Sequence, residues 1–545
     1  MTLFEQILTA RGLTTRAARQ AFLQPDYMAV KHDPFLLPDM KKAVARLKQA
    51  REQGEKIVIY GDYDIDGLSA TALLLDAFGK FGFEDVDAFI PNRFVEGYGM
   101  TMGAVDKVRD MGADLIVTVD TGSLCHAEIA YAASLGIDTV VTDHHNVAET
   151  PPPSVAAVNP KFPGHTYPFR DLCGAGVAFK LVQALQTELD GLPDGYEKWL
   201  LDLVALGTVC DIVTLADENR ANVYWGLEVL KKQQRPGLKA LMVVAGIEPE
   251  QVNARHLGFG LGPRMNAAGR LETAQHALDM LMARDGLAAL EASEKLEELN
   301  IKRRGIQDAI FEEACVQAEQ LADDRVLVVS SDGWNHGVIG IVASKLVEKY
   351  KKPVFIIGER GEEATGSARS FGDFSAADAV RAADDIIIKG GGHGAAAGVT
   401  LETGKIGDFR RRVNEFYDSL QLTNQERYLL PRADVEIDDF SEVDEELVAN
   451  LAKMEPFGNG NPEPVLKITK TSVLSVRRMG TDGQHVKLAL RDKNGKVLQM
   501  LAFNAPEEFF REPGDEVVAW FQPTINEWQG ARTVEGRLLH ILLLD

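Results

Sequence analysis

A chain of 545 residues is too long for one hydrophobic core, and at about 100–200 residues per domain it should divide into two to four. Its 58 basic and 81 acidic residues leave a formal charge of −23, which excludes a protein that sheathes itself in polyanion and confines any nucleic-acid surface to a local patch. No segment nears the ~20 apolar residues of a membrane helix, the opening MTLFEQILTARGLTTRAARQ lacks a signal-peptide core, and Cys125, Cys173, Cys210 and Cys315 lie far apart without C-x-x-C spacing, so a cytoplasmic protein with reduced thiols is expected.

The first 50 residues read as a helical segment. From Lys56 to about Pro160, short β-branched runs at 56–60, 85–91, 114–120 and 137–143 alternate with helical stretches such as 69–82, the pattern of a parallel sheet covered on both faces. Ligands of such sheets lie beyond the carboxyl ends of the strands. Those ends carry Asp62, Asp64 and Asp66 in YGDYDIDGL, then Asp120, then Asp143-His144-His145, while Asp211 follows the apolar helical segment 199–210.

Helix dominates from roughly 220 to 324, and Leu296, Leu299, Arg303, Ile306, Ile310 and Ala314 recur at three and four residues, predicting a long connecting helix with one apolar stripe. Runs at 325–330 and 352–358 open a second α/β segment. The acidic stretch 434–446 and the turn-rich EPFGNGNPEP then read as a boundary. Beyond it, short alternating strands and a hairpin signal, KNGK at 493–496, suggest a small β-barrel of the OB type. The expected fold class is α/β: two α/β domains, the first with a parallel sheet, joined by a long helix and followed by an OB-fold-like β-barrel. The expected boundaries are a helical segment 1–50, a catalytic domain 51–265, a helical connector 266–325, a substrate-binding domain 326–432, an acidic linker 433–463 and a nucleic-acid-binding barrel 464–545.

Any one aspartate after a strand can be no more than the cap of the next helix. Four chain segments that deliver Asp, Asp, Asp-His-His and Asp to one edge are another matter, because gathered carboxylates repel unless a cation lies between them. Oxygen-rich ligands with one imidazole suit Mg²⁺ or Mn²⁺, and the acids outnumber the needs of one ion. A pair of ions about 4 Å apart is the usual arrangement for hydrolysing phosphate esters.

These motifs resemble a known family. DYDIDG at 62–67, DTG at 120–122, DHH at 143–145 and Asp211 within ALGTVCDIVTL look like the four motifs of the DHH phosphoesterase superfamily. PNRFVEGYG from 91, CGAGVAFKL from 173, GPRMNAAGRL from 262, WNHGVIGIVASKL from 334, GSARS from 366, GGGHGAAAGVT from 390 and PFGNGNPEP from 456 follow, in order, segments of its single-stranded-DNA exonuclease branch. Thr121, Cys210 and Thr214 depart from the pattern without removing a ligand. The resemblance implies that Asp64, Asp66, Asp120, His144 and Asp211 bind two Mn²⁺ or Mg²⁺ ions with Asp120 as the bridge. It gives Asp62 the role of completing one ion's shell or orienting its ligands, and His145 a supporting or phosphate-binding role. It implies domains of DHH and DHHA1 type and a monomeric 5′→3′ exonuclease that reduces single-stranded DNA to nucleoside 5′-monophosphates in recombination and repair, with a helicase and a single-strand-binding protein as candidate partners. The alternatives are a DHH phosphoesterase of small substrates, oligoribonucleotides or cyclic dinucleotides, and a non-catalytic replication scaffold on the same fold.

An exonuclease must also grip one strand. GSARS at 366–370 and GGGHG at 390–394 read as glycine-rich loops that let backbone approach phosphate, with Ser367, Arg369, Ser370, Gly392 and His393 as contacts. Arg93, Tyr98 and Arg264 are candidates for terminal phosphate or base stacking. Between Pro464 and Met500, Lys467, Lys470, Arg477, Arg478, Lys487, Arg491, Lys493 and Lys496 stand against only Asp482 and Asp492, so Arg477, Arg478 and Lys487 are expected to line a groove that tracks a phosphate backbone.

Overall fold

A computed structural model describes every residue except Tyr98, Gln529 and Asp545, together with all side chains but those of Glu426 and Trp528. The first sheet comprises β1 (Ile57–Gly61), β2 (Val86–Phe89), β3 (Leu115–Val119), β4 (Asp138–Thr142) and β5 (Ala156–Val158). All its pairings are parallel, in the order β2-β1-β3-β4-β5. The two-residue period of a strand divides β1 between two cores. Ile57 and Ile59 pack under helices Ile65–Phe81, Gly174–Leu185 and Leu201–Cys210, whereas Val58 and Tyr60 face helices Met102–Asp110 and His126–Ser134. Since the strand order reverses between β1 and β3, a crevice opens at their carboxyl ends, where doubly wound sheets hold their ligands.

The long helix runs from Gly286 to Gln320, 35 residues and thus about 50 Å, and opens on Asp285, whose carboxylate caps the amides of Leu287 and Ala288. Leu296 and Leu299 belong to the first domain's core, Ile310 and Ala314 to that of the second. Between them Arg303 is buried and satisfied by Asn300 (2.5 Å) and Gln307 (2.8 Å). The expected boundary at 265/266 falls inside one helix, Gly262–Leu271, so the connector grows out of the first domain without a break.

The second sheet contains β6 (Leu327–Asp332), β7 (Val354–Arg360), β8 (Glu363–Arg369), β9 (Ile387–His393) and β10 (Ala396–Glu402), ordered β6-β7-β8-β10-β9. Only β6 and β7 pair in parallel, across helix Ile339–Tyr350; the other pairings are antiparallel. Both glycine-rich stretches read as loops are in fact strands. GSAR closes β8, and GGGH ends β9, an exposed edge strand in which a β-carbon at Gly392 (φ +151°) would lie 2.3 Å from Ala396 O.

The third unit contains β11 (Val435–Ile437), β12 (Leu466–Met479), β13 (His485–Arg491), β14 (Val497–Ala502), β15 (Glu516–Trp528) and β16 (Ala531–Leu543). Pairing of β12 with β15 closes β12-β13-β14-β16-β15 into a five-stranded barrel. The expected acidic linker 433–463 is part of this unit: β11 pairs with β12, and Phe440, Val443, Leu447, Leu451 and Met454 lie in the barrel's core. Its charges face outward and conceal a sparse apolar stripe. The N-terminal segment is likewise divided, since Leu3, Ile7 and Leu8 join the barrel core while Met40, Val44 and Leu47 join that of the first domain.

Candidate metal centre and strand-binding surface

The crevice at β1 and β3 is lined by carboxylates held in unlike ways. Asp64 caps helix Ile65–Phe81, one oxygen accepting from the amides of Asp66 (2.9 Å) and Gly67 (3.2 Å), so the capping role and a place in the cluster coexist. Asp66, in the first turn of that helix, is gripped by another helix: its two oxygens accept from Gly174 N (2.5 Å) and Ala175 N (2.8 Å), at the N-terminus of Gly174–Leu185. Asp120 takes a left-handed conformation (φ +61°) just past β3, which turns its side chain away from the strand's alternation. The crowding leaves no room for a β-carbon at Gly174, where it would lie 2.6 Å from Asp120 Cβ, or at Gly207, where it would lie 2.5 Å from Asp66 Oδ1.

Asp143 points the other way. It accepts from the amides of Ser123, His144 and His145 and from His145 Nδ1 (2.9 Å), bracketing the loop that presents both imidazoles. His144 Nε2 lies 3.0 Å from Asp120, 3.6 Å from Asp211 and 3.7 Å from Asp66, and His145 Nδ1 lies 3.7 Å from Asp120. Three groups of potential donors converge: Asp62, Asp64 and Asp120; Asp66, His144 and Asp211; and Asp120, His144 and His145.

This arrangement is electrostatically incomplete. Burial, aided by the charge of Asp64, pushes Asp62 up to about 8 and Asp66 to about 6, while burial with Asp66 and Asp64 beside it pushes Asp211 to about 8. Burial and then Asp66 raise Asp120 well above the carboxylate range. Burial and neighbouring His145 push His144 down to about 3, leaving a neutral imidazole, as a metal ligand must be. For His145, burial is outweighed by its hydrogen bond to Asp143, which lifts it to about 9. Apart from the 3.0 Å approach of His144 Nε2 to Asp120 Oδ1, Asp62 Oδ1, Asp120 Oδ1 and His144 Nε2 are buried with no hydrogen-bond partner among the described residues, a state that native structures rarely tolerate without an unseen ion or water. Hard oxygen donors with one neutral imidazole, unsatisfied and converging, fit divalent cations of the Mg²⁺ and Mn²⁺ kind.

Next to the carboxylates lies their opposite. Arg93 stacks on the Tyr63 ring (4.4 Å), and Arg270 donates to Gly337 O (2.8 Å). Arg369 donates to Ser367 Oγ (3.2 Å) and Ala368 O (2.8 Å), with no carboxylate partner among the described residues. Burial, reinforced by Arg93, Arg303 and Arg369, brings Arg270 down to about 10. Half-buried guanidiniums gathered with no ion pair among the described residues make an anion pocket. Arg270 escaped the sequence reading, which took Arg264 from the same GPRMNAAGRL segment. Six residues apart on a helix, the two point about 120° from each other. Arg264 pairs with Glu297 (2.5 Å) and donates to Gly260 O (2.7 Å), which ties its helix to the long helix. Ser370 donates its hydroxyl to Phe374 O. Gly392 and His393 sit exposed on edge strand β9, opposite Ala397 and Ala396. Tyr98 lies outside the described residues.

Known proteins bear on this arrangement. The DHH family N-terminal domain matches residues 56–208, the DHHA1 domain 323–419 and the RecJ OB domain 433–540. The single-stranded-DNA-specific exonuclease RecJ of Salmonella typhimurium is 35% identical over 526 residues, covering 92% of this chain and 89% of that protein. The chain belongs to the RecJ family. RecJ of Bacillus subtilis is 38% identical over 536 residues, and the match spans 97% of this chain but only 66% of that protein. Crystal structures of RecJ from Thermus thermophilus align with TM-score 0.83 for the Mn²⁺ complex (30% identity, 99% of this chain, 76% of that one) and 0.76 for the Mg²⁺ complex (28%, 98% and 74%).

On the barrel, ion pairs take up much of the basic charge. Lys487 pairs with Glu535 (2.7 Å) and Arg478 with Glu507 (2.5 Å), while Lys467, Lys470 and Lys493 pair with Glu436, Glu516 and Asp438. Every one of these acids lies outside the window in which the bases were counted. Arg477, opposite Lys487 in the β12–β13 register and exposed, has no acidic partner among the described residues.

Proposed function

We propose that this RecJ-family chain is a two-metal 5′→3′ exonuclease that degrades single-stranded DNA to nucleoside 5′-monophosphates in recombination and repair. It would act in the cytoplasm as a monomer, on strands exposed by a helicase or delivered by a single-strand-binding protein. The observation that carries the reading is the convergence of Asp62 Oδ1, Asp120 Oδ1 and His144 Nε2, buried and unpartnered, at the switch point of the sheet.

Asp62, Asp64 and Asp120 would hold one Mn²⁺ or Mg²⁺ ion and Asp66, His144 and Asp211 a second, with Asp120 between them. Bound there, the pair neutralises charge on the phosphate and acidifies an attacking water. The rest falls to the chain. Gly174 N and Ala175 N fix both oxygens of Asp66, so that its donor geometry is set before any ion arrives. Asp143 holds His145 protonated, and an imidazolium at the mouth of the crevice is suited to donate to a non-bridging phosphate oxygen. Arg93, Arg270 and Arg369 with Ser367 would seat a terminal phosphate next to Asp64, fixing which end enters. The glycine-rich edge β9, without side chains to obstruct it, would let the following nucleotides pass.

Digestion of single strands labelled at the 5′ or the 3′ end tests this directly. Label released from the 5′ end as mononucleotide from the first turnover is expected; release from the 3′ end first, or cleavage of dinucleotides alone, would overturn it.

A further inference from the structure

Asp211 is delivered to the metal centre by the last turn of helix Leu201–Cys210, and the chain leaves it in a conformation the helix does not account for. Ile212 is a β-branched residue at φ +60°, a region such side chains avoid. At 69% exposure it has no packing to hold it there. Its own domain contributes Val209 O, which accepts from Ile212 N (3.3 Å), and Asp171 and Asn219, which bond the backbone of Thr214; the remaining hold comes from the barrel unit, almost 250 residues away in sequence.

The turn Gly458–Asn461, closed by Gly458 N to Asn461 O (2.9 Å) and Asn461 N to Gly458 O (3.1 Å), lies against residues 212–215. Asn459 Nδ2 donates to Ile212 O (2.8 Å), and Asn459 O accepts from Leu215 N (2.8 Å). Gly460, at φ +76°, comes so close that a β-carbon would lie 2.5 Å from Thr214 Cγ2. The turn is itself braced from two sides. Asn461 donates to Met454 O and Pro456 O, and the buried Arg220 of the first domain donates to Met454 O, Glu455 O and Pro456 O. Asp211 carries one group of donors, whereas Asp62, Asp64 and Asp120 draw nothing from this turn.

Building on the two-ion reading above, we propose that Asn459 and its turn are positioning elements for Asp211, so that the barrel unit sets the affinity of one of the two metal positions. The barrel thereby bears on hydrolysis as well as on holding the strand.

Titration of the full-length, metal-free chain with Mn²⁺, following free Mn²⁺ by its electron paramagnetic resonance, reads both positions without activity. Asn459→Ala and Gly460→Ala should each weaken one class of site about 10-fold, the scale expected for a group that orients a ligand, and leave the other class unchanged. Thr214→Ser, which removes the methyl that meets the new β-carbon, should recover part of the loss in Gly460→Ala. In an Asp211→Asn background Asn459→Ala should add nothing. Asn459→Asp, isosteric but unable to donate, repeats the test should Gly460→Ala not fold. Unaltered isotherms in folded variants, equal weakening of both classes, or a full further loss in the Asp211→Asn background would each overturn the proposal. If wild type binds fewer than two ions, it is the two-ion reading that fails.

Discussion

In the first domain, Asp62, Asp66, Asp120 and Asp211 are brought together with no lysine or arginine ion pair among the described residues; on the barrel, five of the eight bases between Pro464 and Met500 are matched by acids from 436–438 and 507–535. Both stretches look alike as charge patterns. Folding leaves one unsatisfied and neutralises the other. Charge crowding in a sequence therefore indicates a ligand only when the fold withholds a partner, because an exposed pair contributes little while an unpaired buried charge is costly.

That contrast can be broken most severely at Asp120. Asp120→Ala should lower strand hydrolysis by far more than the roughly 10–100-fold typical of groups that merely support a ligand, with DNA binding largely retained. Steady-state hydrolysis beside a filter-binding assay checks it, and near-normal turnover would dissolve the distinction between the two clusters.

Arg369→Ala removes a guanidinium that has no protein counter-charge. Loss of a charge-assisted contact of about 1.5–3 kcal/mol should lower kcat/KM roughly 10- to 100-fold on 5′-phosphorylated strands and much less on 5′-hydroxyl strands. An equal effect on both would mean that the pocket does not read the terminal phosphate.

Stability should report the unsatisfied carboxylates as well. Unfolded carboxylates titrate near 3.9, whereas Asp62 and Asp211 sit near 8 and Asp66 near 6 in the folded chain. These raised values favour the folded state at low pH, and that contribution is lost as pH rises through about 6 and then 8. Without metal, Tm should fall between pH 5.5 and 8.5, and Mn²⁺ should raise Tm more at pH 8.5 than at pH 5.5. Thermal melts with and without chelator decide it; a metal effect independent of pH would contradict the assignment.

The smallest effect belongs to the barrel. Arg477→Ala should flatten the dependence of log binding constant on log salt by about 0.7, one phosphate contact on a single strand, and Lys487→Ala, whose ammonium already faces Glu535, by less. Equal slopes for the two variants would show that the ion pair opens on binding.

The same physics decided what the sequence made legible. Strands β1, β3 and β4 and the long helix are readable because apolar pattern and burial coincide in them, and the gathering of Asp62, Asp64, Asp66, Asp120, His144 and Asp211 is readable because the carboxyl ends of parallel strands share one edge of the sheet. Arg264 and Arg270 could not be told apart, since the difference between them is Glu297 on a helix outside their own segment. Segment 433–463 was taken for a linker because its acids outnumber the apolar residues that carry its packing. The hold of Asn459 on Ile212 lay beyond reach altogether, because no local pattern records a contact across 247 positions.

The central claim is that the unpartnered donors exist for two ions, with Asp120 shared between them. Equilibrium Mn²⁺ titration of wild type and Asp120→Ala at pH 8 measures this most directly. Two ions per wild-type chain, and weakening of both in the variant, are predicted; two ions retained at wild-type affinity in Asp120→Ala would contradict it.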